Sequence, residues 1–326
     1  MIANLLSDDN GVGLSADMDI VAARLQRLGF RVDRTDCRQY TPLAKRYDVN
    51  IFLELFDPRY VRHARNNYII PNQEWTKTRH EQALRALRGV LCKTMLAQRL
   101  YRQRGMMTEY IGFTSRDRLR PDLAKDPRKW LHFIGLSTQK GTAAVLAAWA
   151  ANPSFPRLTV VHDPRNDEIE HVDLPNIEYV VGRLTEREVG EVMNSHAVHL
   201  CPSETEGFGH STNEALSCGA IVITTDAPPM NELVGPRSGF LVPSEISGGE
   251  ITQSFTSRFQ VSEAALAAAV QRVIALPETA RQEISARARD SYLQRARDFE
   301  RRFDRFFGRL RREKESRYDR RPVLDQ

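Results

Sequence analysis

The chain has 326 residues, of which 41% are hydrophobic and 27% charged, and a formal net charge of +5. This composition is typical of a globular protein, and the length predicts two domains. No run of about 18 apolar residues occurs in the sequence, so a transmembrane helix is not expected. The N-terminal segment Met1–Asp9 has no basic region and predicts a first β-strand and its loop instead of a signal peptide.

The four cysteines are scattered and show no CxxC spacing. They are Cys37, Cys92, Cys201 and Cys218. This usage predicts reduced, buried thiols in a cytosolic protein, and it argues against a disulfide framework or a zinc site.

Alternating strand and helix patterns run through the first 120 residues. A short apolar run, Met1–Leu6, is followed by a helical pattern from Ala16 that ends at Gly29. Further strands are predicted at Val49–Phe56, Tyr68–Pro71, Val90–Cys92 and Tyr110–Phe113. The order predicts an α/β domain with a parallel sheet.

Two features of this half have both a functional and a plain structural interpretation. The pair Gly11 and Gly13 lies in the first strand-to-helix turn, where it predicts either a ligand-binding loop or only a tight turn. Asp17 and Asp19 resemble a metal-binding DxD pair, but they lie within a helical pattern. We interpret them as a solvated helix face.

A polar cluster, Asn72-Gln73-Glu74-Trp75, follows the predicted strand at Tyr68–Pro71. Ligands of parallel sheets bind beyond the carboxyl ends of the strands, so the cluster predicts a binding loop with stacking capacity. The alternative is a polar loop that caps a helix.

The segment Arg116–Lys129 is charged, contains two prolines and predicts an interdomain linker. A second α/β half follows it. Its predicted strands are Leu131–Ile134, Leu158–His162, Ile177–Val181, Ala197–Cys201, Ala220–Thr224 and Gly239–Val242, and its predicted helices are Ala143–Ala151, Glu186–Ser195 and Val261–Ala275. We expect a helix after each strand, and hence a parallel, doubly wound sheet. Ser244–Phe259 is polar and irregular, as an insertion would be.

The stretch Ser203–Glu214 carries the clearest chemical signal. It follows an apolar strand, turns at Glu206-Gly207-Phe208-Gly209 and opens a helical pattern. Backbone N–H groups and the helix dipole at such a turn can hold a phosphate. Glu206 and Glu214 flank the turn and would repel a phosphate, so their expected partners are neutral hydroxyls. A phosphate between hydroxyl-bearing groups describes a nucleotide sugar.

These residues resemble a known family. Glu206, Gly207, Phe208, Gly209 and Glu214 look like the E-x7-E motif of retaining GT-B glycosyltransferases of family 4, and Ala215–Asp226 is similar to the continuation of that motif. The loop that ends at Lys140-Gly141 is similar to the phosphate-binding loop of the family. The resemblance is strong from about residue 130 to 242 and thin over the first 120 residues.

The resemblance implies an α/β GT-B fold, with two Rossmann-like, doubly wound domains that face a central cleft and a C-terminal helix that packs back on the N-terminal domain. It implies an acceptor-side domain at 1–120, a donor nucleotide-sugar domain at 121–276, and a C-terminal helix with a basic tail at 277–326.

Residue roles follow from the same resemblance. Lys140 would neutralise the donor diphosphate, and Glu206 would accept hydrogen bonds from the transferred sugar, which makes these two the candidate catalytic residues. The candidate donor-binding residues are Gly13, Gly135, Arg183, Gly207, Phe208, Gly209, His210 and Glu214, and the acceptor-side candidates are Asn72 and Glu74. Glu214 would bind the ribose. His210 has capping or packing as its alternative role.

One departure from the family pattern affects the phosphate site. The family usually has an arginine after the glycine of the loop, where this chain has Leu136 after Gly135. The diphosphate charge would then rest on Lys140 alone or on Arg183, and the loss of one cation should weaken phosphate binding.

The implied function is retaining transfer of a sugar from a nucleotide-sugar donor to a glycan, lipid-linked or other hydroxyl acceptor, in cell-surface polysaccharide or glycoconjugate synthesis. Neither a metal nor another cofactor is expected. One alternative is a catalytically silent GT-B scaffold that binds a nucleotide or glycan, which the missing loop arginine keeps open. The other is a GT-B nucleotide-sugar epimerase.

The C-terminal segment combines an apolar stripe with many arginines. The stripe consists of Phe299, Phe303, Phe306, Phe307 and Leu310. We expect a helix that packs on the first domain with a solvated basic side. The alternative is a basic amphipathic helix on an anionic membrane surface, at the inner face of the membrane of a cytoplasmic protein. Nucleic acid is not an expected partner, because no aromatic stacking platform accompanies the charges.

Overall fold

The computed structural model describes residues 1–8, 11, 13–166, 169–247 and 255–319, with side chains up to residue 316. Val12 of the predicted glycine turn and the middle of the predicted insertion at Ser244–Phe259 lie outside these residues. The chain divides into two compact units. The first unit is Met1–Phe113 with the segment from Arg295 onward, and the second unit is Thr114–Gln294.

The first unit contains a six-stranded sheet in the order β2-β1-β3-β4-β5-β6, and its strands pair in parallel throughout. The strands are β1 Ile2–Ser7, β2 Arg31–Asp36, β3 Tyr47–Leu53, β4 Ala64–Ile70, β5 Gly89–Cys92 and β6 Thr108–Tyr110. The helices are α1 Gly13–Arg27, α2 Glu81–Leu84 and α3 Met95–Gln103.

Some strand boundaries differ from the predictions. β3 ends at Leu53 instead of Phe56, because Glu54 has a left-handed backbone with φ 62° that no strand can continue. β4 begins at Ala64, earlier than the apolar run at Tyr68, because its polar residues still pair with β3.

The second unit contains another six-stranded parallel sheet, in the order β12-β11-β10-β7-β8-β9. The strands are β7 Asp126–Gly135, β8 Arg157–His162, β9 Ile177–Val181, β10 His196–Cys201, β11 Ile221–Thr225 and β12 Gly239–Val242. The helices are α4 Thr142–Ala151, α5 Glu186–Ser195, α6 His210–Ser217, α7 Met230–Leu233 and α8 Glu263–Ile274. The predicted parallel α/β architecture is confirmed for both halves.

Two expectations for this unit were wrong. The connection from β8 to β9 has no helix among its described residues, so strand and helix do not alternate throughout. The segment predicted to be irregular begins with a short strand, β13 Ser244–Ile246, and its last residue begins another, β14 Phe259–Val261. These two strands pair as an antiparallel ribbon.

The predicted linker is held firmly on the second unit. Asn194, which is fully buried, accepts a hydrogen bond from the backbone N–H of Arg120 at 2.9 Å and donates to the carbonyl of Arg118 at 2.7 Å. The N–H of Arg118 donates to Oγ of Ser217 at 2.9 Å. From Asp126 the chain already pairs with β10 as part of β7, so the linker is shorter than Arg116–Lys129.

The last helix, α9 Glu278–Asp319, is 42 residues long, and its part from Arg295 onward belongs to the first unit. Phe299, Phe303, Phe307 and Leu310 are buried there. The rings of Phe30 and Phe307 lie 6.1 Å apart, and those of Phe113 and Phe299 lie 5.1 Å apart. The apolar stripe is therefore core packing. Among the described residues, no helix is both long and apolar enough to cross a membrane.

Candidate functional site

Two loops meet at the carboxyl edge of the second sheet. Gly141 ends the loop between β7 and α4 with φ 66°, and a Cβ atom there would lie 2.2 Å from the carbonyl oxygen of Pro202, directly after β10. The N–H of Glu204 donates to the carbonyl of Gln139 at 2.9 Å. Only glycine permits this approach, and the approach brings Lys140 to the glycine turn.

Lys140 and Glu206 form an ion pair at this point, and their side chains are only 14% and 13% exposed. The ammonium nitrogen of Lys140 also lies 3.4 Å from Oγ of Ser211, in the first turn of α6. The structure thus brings the two candidate catalytic residues together. A phosphate that bound to Lys140 would share its protons with Glu206 or displace that carboxylate.

The glycine turn leads directly into α6. Gly209 is the N-cap with φ 100°, and a Cβ atom there would lie 2.8 Å from Cδ1 of Leu233. Gly209 has no side chain to cap the helix, and the N–H groups of a first helical turn favour an anion. Gly207 precedes Phe208, whose ring is buried and meets His210 edge-on with centroids 5.4 Å apart. Phe208 therefore offers backbone, not side chain, to a ligand.

His210 is fixed by the linker, because its Nδ1 is hydrogen bonded to Oγ of Ser115 at 2.9 Å. The backbone carbonyl of Ser115 in turn accepts a hydrogen bond from the hydroxyl of Tyr292 at 2.9 Å. The packing role predicted as the alternative for His210 is thus present.

Glu214 has a partner that the sequence did not reveal. Nε of Arg118 lies 3.3 Å from its carboxylate, and both side chains are largely buried. Arg118 also pairs with Glu186, which accepts a second contact from Arg116 at 2.7 Å. Arg118 looked like a solvated linker charge in the sequence, and no local pattern distinguished it from its neighbours.

His132, a buried histidine in β7, is hydrogen bonded to both β10 and α4 beside the Lys140 loop. Nδ1 of His132 lies 2.9 Å from the carbonyl oxygen of Leu200 in β10, and its Nε2 lies 3.0 Å from Oγ1 of Thr142 in α4. Burial lowers the pKa of His132 to about 4, so the ring is neutral at pH 7. Its Nδ1–H donates to Leu200, and its Nε2 accepts from Thr142. This bridge fixes the start of α4 against β10.

Two other predicted donor residues lie near the same edge. Gly135 ends β7 with φ 63°, and no described atom lies within 4 Å of a Cβ placed there. Arg183 is exposed in the loop after β9, the edge strand, which β8 separates from β7. The sheet order therefore does not place Arg183 beside Lys140.

The remaining predicted residues lie in the first unit. Gly13 begins α1, and no described atom lies within 4 Å of a Cβ built on it. Asn72 donates to Oε2 of Glu54 at 2.6 Å and accepts from Lys93. One carboxylate oxygen of Glu74 is buried. We had expected Asp17 to be solvated, but it is not. It is buried in an ion pair of 2.8 Å with Lys93, which directly follows β5.

The described part of the chain has neither an exposed cysteine nor a cluster of metal-ligating side chains. All four cysteines are free and buried, and burial raises the pKa of the Cys201 thiol to about 11. No three His, Cys, Asp or Glu side chains there come together as metal ligands would.

The two parallel sheets define the class of the protein as a GT-B glycosyltransferase fold. A crystal structure of a glycosyltransferase from Rickettsia africae matches with a TM-score of 0.73 at 12% identity, covering 95% of this chain and 98% of that one. Sucrose-phosphate synthase from Thermosynechococcus elongatus matches with a TM-score of 0.71 at 14% identity, covering 95% and 99%.

HepE from Anabaena, solved in complex with UDP-glucose, matches with a TM-score of 0.69 at 14% identity, covering 94% of this chain and 99% of that one. Residues 116–290, more than half of the chain, match the family described as glycosyl transferases group 1, and the chain belongs to this family. No curated protein sequence matches it.

Proposed function

We propose that this protein transfers a sugar from a nucleotide-sugar donor to a hydroxyl of a glycan, lipid-linked or other acceptor. In this proposal the anomeric configuration is retained and no metal takes part. The observation that carries the proposal is the Lys140–Glu206 ion pair at the glycine N-terminus of α6. The family supports glycosyl transfer, and the similar HepE structure contains UDP-glucose.

The chemistry of this site suits departure of a nucleoside diphosphate. Negative charge develops on the β-phosphate as the glycosidic bond breaks, and a fixed cation with aligned backbone N–H groups stabilises it. Lys140 would supply the cation and the N-terminus of α6 the N–H groups. Glu206 would release Lys140 to the phosphate and accept hydrogen bonds from the sugar hydroxyls. Positioning, not a strong acid or base, then provides most of the catalysis.

A catalytically silent scaffold is a second candidate, favoured by one observation. Leu136 follows Gly135, where the resemblance to the family implies an arginine, and this residue is 37% exposed in the loop that ends at Gly141. A site with one cation fewer can still bind a nucleotide but stabilises the leaving group less.

Release of nucleoside diphosphate from a panel of UDP-, GDP- and ADP-sugars distinguishes the two candidates. A transferase should release the diphosphate of at least one donor, and NMR of the product should show the anomeric configuration of that donor. Binding without release from any donor would favour the scaffold, and an inverted product would refute retention.

A cytoplasmic location and synthesis of cell-surface polysaccharide or glycoconjugate belong to the same proposal. In the described part of α9 most of the aromatic stripe is buried, and exposed arginines such as Arg301 and Arg305 could contact an anionic membrane. Co-sedimentation with anionic vesicles tests this contact. Arg301→Glu with Arg305→Glu should abolish the sedimentation if it occurs through this face. Failure of the wild-type protein to sediment would refute the membrane contact.

A further inference from the structure

A glutamate with a strained backbone, Glu54, lies at the end of a strand of the first sheet. Among the described residues, Glu54 is the one non-glycine residue with a positive φ, at 62°. Such a conformation has a steric cost for a residue with a Cβ, and strain of this kind concentrates at functional sites. Glycine would avoid this cost, so the carboxylate itself needs an explanation.

The carboxylate is held in place by the next strand. The N–H of Glu54 donates to the carbonyl of Ile70 at 3.0 Å, and Nδ2 of Asn72 donates to its Oε2 at 2.6 Å. In the described part of the chain no donor reaches its other oxygen, Oε1. Glu54 is only partly buried, so that oxygen is the one left to bind a ligand.

A buried ion pair fixes the amide that orients Glu54. Oδ1 of Asn72 accepts a hydrogen bond from Lys93, and the ammonium of Lys93 also pairs with Asp17 at 2.8 Å. The side chains of Lys93 and Asp17 are 1% and 3% exposed. Burial of such a pair seldom adds stability. Here the ion pair permits one orientation of the Asn72 amide, with Nδ2 toward Glu54.

An exposed aromatic ring is part of the same turn. The N–H of Trp75 donates to the carbonyl of Asn72 at 3.1 Å, and its side chain is 57% exposed. Thr76 anchors the turn, since its hydroxyl is hydrogen bonded to Asn72 at 3.2 Å and to Tyr101 at 2.6 Å. The turn thus carries an exposed indole three residues after the amide that holds Glu54. An indole and a carboxylate can offer a sugar a stacking face and a hydrogen-bond acceptor.

We propose that Glu54 and Trp75 bind a neutral saccharide as the acceptor, with Glu54 accepting a hydrogen bond from a sugar hydroxyl. Asn72, Lys93 and Asp17 are positioning residues that act through Glu54. The carboxylates of Glu54 and Asp17 outnumber the one cation of the cluster, so a phosphorylated sugar would be repelled. This inference rests on the proposed function, because it names the acceptor class of that reaction.

Saturation-transfer NMR on the full-length protein tests the inference without relying on turnover. The probes are the methyl glycosides of glucose, galactose, mannose, N-acetylglucosamine and rhamnose, with glucose 6-phosphate as the anionic comparison. At least one glycoside should bind more tightly than glucose 6-phosphate. Glu54→Gln should weaken its binding at least tenfold, whereas Glu81→Gln, on α2 of the same unit, should leave it unchanged.

Two further variants separate binding from folding. Glu54→Gly removes the carboxylate but accepts the positive φ, so it should lose the glycoside while its melting temperature stays equal or rises. Asn72→Ala should weaken glycoside binding in the wild-type background and have no further effect in Glu54→Gly, because it acts only through Glu54. Additive losses in the double variant would contradict the positioning role.

Unchanged glycoside binding in Glu54→Gln, no binding of any neutral glycoside, or preference for glucose 6-phosphate would each overturn the inference. The proposed function fails by a separate observation, which is the absence of nucleoside-diphosphate release by the wild-type protein from every donor.

Discussion

Gly135 and Gly141 begin and end one short loop, and both have a positive φ, but only Gly141 is closely packed. A Cβ atom would lie 2.2 Å from the Pro202 carbonyl at Gly141 and would have no described neighbour within 4 Å at Gly135. Gly135→Ala should therefore cost only the conformational term, about 1 kcal/mol. Gly141→Ala should cost roughly 3 kcal/mol or more, because the loop must also move away from β10. Urea unfolding of both variants measures the difference, and equal costs would contradict the close approach.

Two buried histidines predict how stability depends on pH. Burial lowers the pKa of His132 to about 4 and that of His199 to about 3. In the unfolded chain both bind protons below about pH 6.5, so the unfolded state binds more protons and the free energy of unfolding falls as the pH drops. At pH 5 the loss is about 2 kcal/mol for each ring.

NMR of histidine labelled with carbon-13 in the ring checks this directly. The signals of His132 and His199 should not titrate between pH 8 and 5, and the urea midpoint should fall over the lower part of that range. Titration of the His132 ring near pH 6.5 would show that the bridge from β7 to Leu200 and Thr142 is absent, and the same result for His199 would contradict its burial.

Among single functional residues, the sequence indicated those that belong to a local motif. Lys140 and Glu206 come from loops that follow neighbouring strands, and they meet as expected. Arg118 and Glu54 were missed, because an arginine in a charged linker and a glutamate within an apolar run have no distinguishing neighbours. Asp17 was misinterpreted because its partner, Lys93, lies far away in the sequence.

The linker between the halves is held by one side chain of α5. Asn194 bonds the backbone at Arg118 and Arg120, and its Nδ2 also donates to the carbonyl of Gly190 at 2.8 Å. Asn194→Ala should destabilise the protein by roughly 2–3 kcal/mol, since buried backbone groups lose their partners. Ser195→Ala, at the adjacent helix position, should cost less than about 1 kcal/mol. Thermal unfolding of the two variants provides the comparison, and equal effects would mean that the linker is not held by Asn194.

The C-terminal helix predicts a contrast between its two faces. Phe303 is fully buried and its ring lies 4.4 Å from that of Phe307, whereas Arg305 is exposed. Phe303→Ala should cost about 3–5 kcal/mol. Arg305→Ala should change stability by less than about 0.5 kcal/mol. Denaturant unfolding tests both, and a Phe303 variant as stable as the wild type would show that the stripe faces solvent.

Elements were predictable where their pattern was strong. Ile177–Val181, Glu186–Ser195 and Gly239–Val242 have the predicted bounds. The two strands end where Gly182 and Pro243 interrupt an apolar run. The end of β3 was not predictable, since the apolar run continues past Glu54 and only the backbone of that residue ends the strand.

Across the whole molecule, the residues of the proposed donor site could be named from the sequence, and those of the proposed acceptor site could not. The motif from Glu206 to Glu214 is contiguous, so a single stretch indicates its chemistry. The cluster proposed for the acceptor joins Asp17, Glu54, Asn72 and Lys93 from four separate segments, and only the folded sheet shows that they meet.

The most direct test of the account is turnover of the best donor by variants of the Lys140–Glu206 pair. Lys140→Ala and Glu206→Ala should each lower nucleoside-diphosphate release more than tenfold without unfolding the protein. The double variant Lys140→Met with Glu206→Gln removes both charges and so leaves no unpaired buried charge. It therefore separates the loss of the ion pair from the effect of an unpaired buried charge. Its nucleoside-diphosphate release should be as slow as that of the single variants. Wild-type rates in all three would contradict the site.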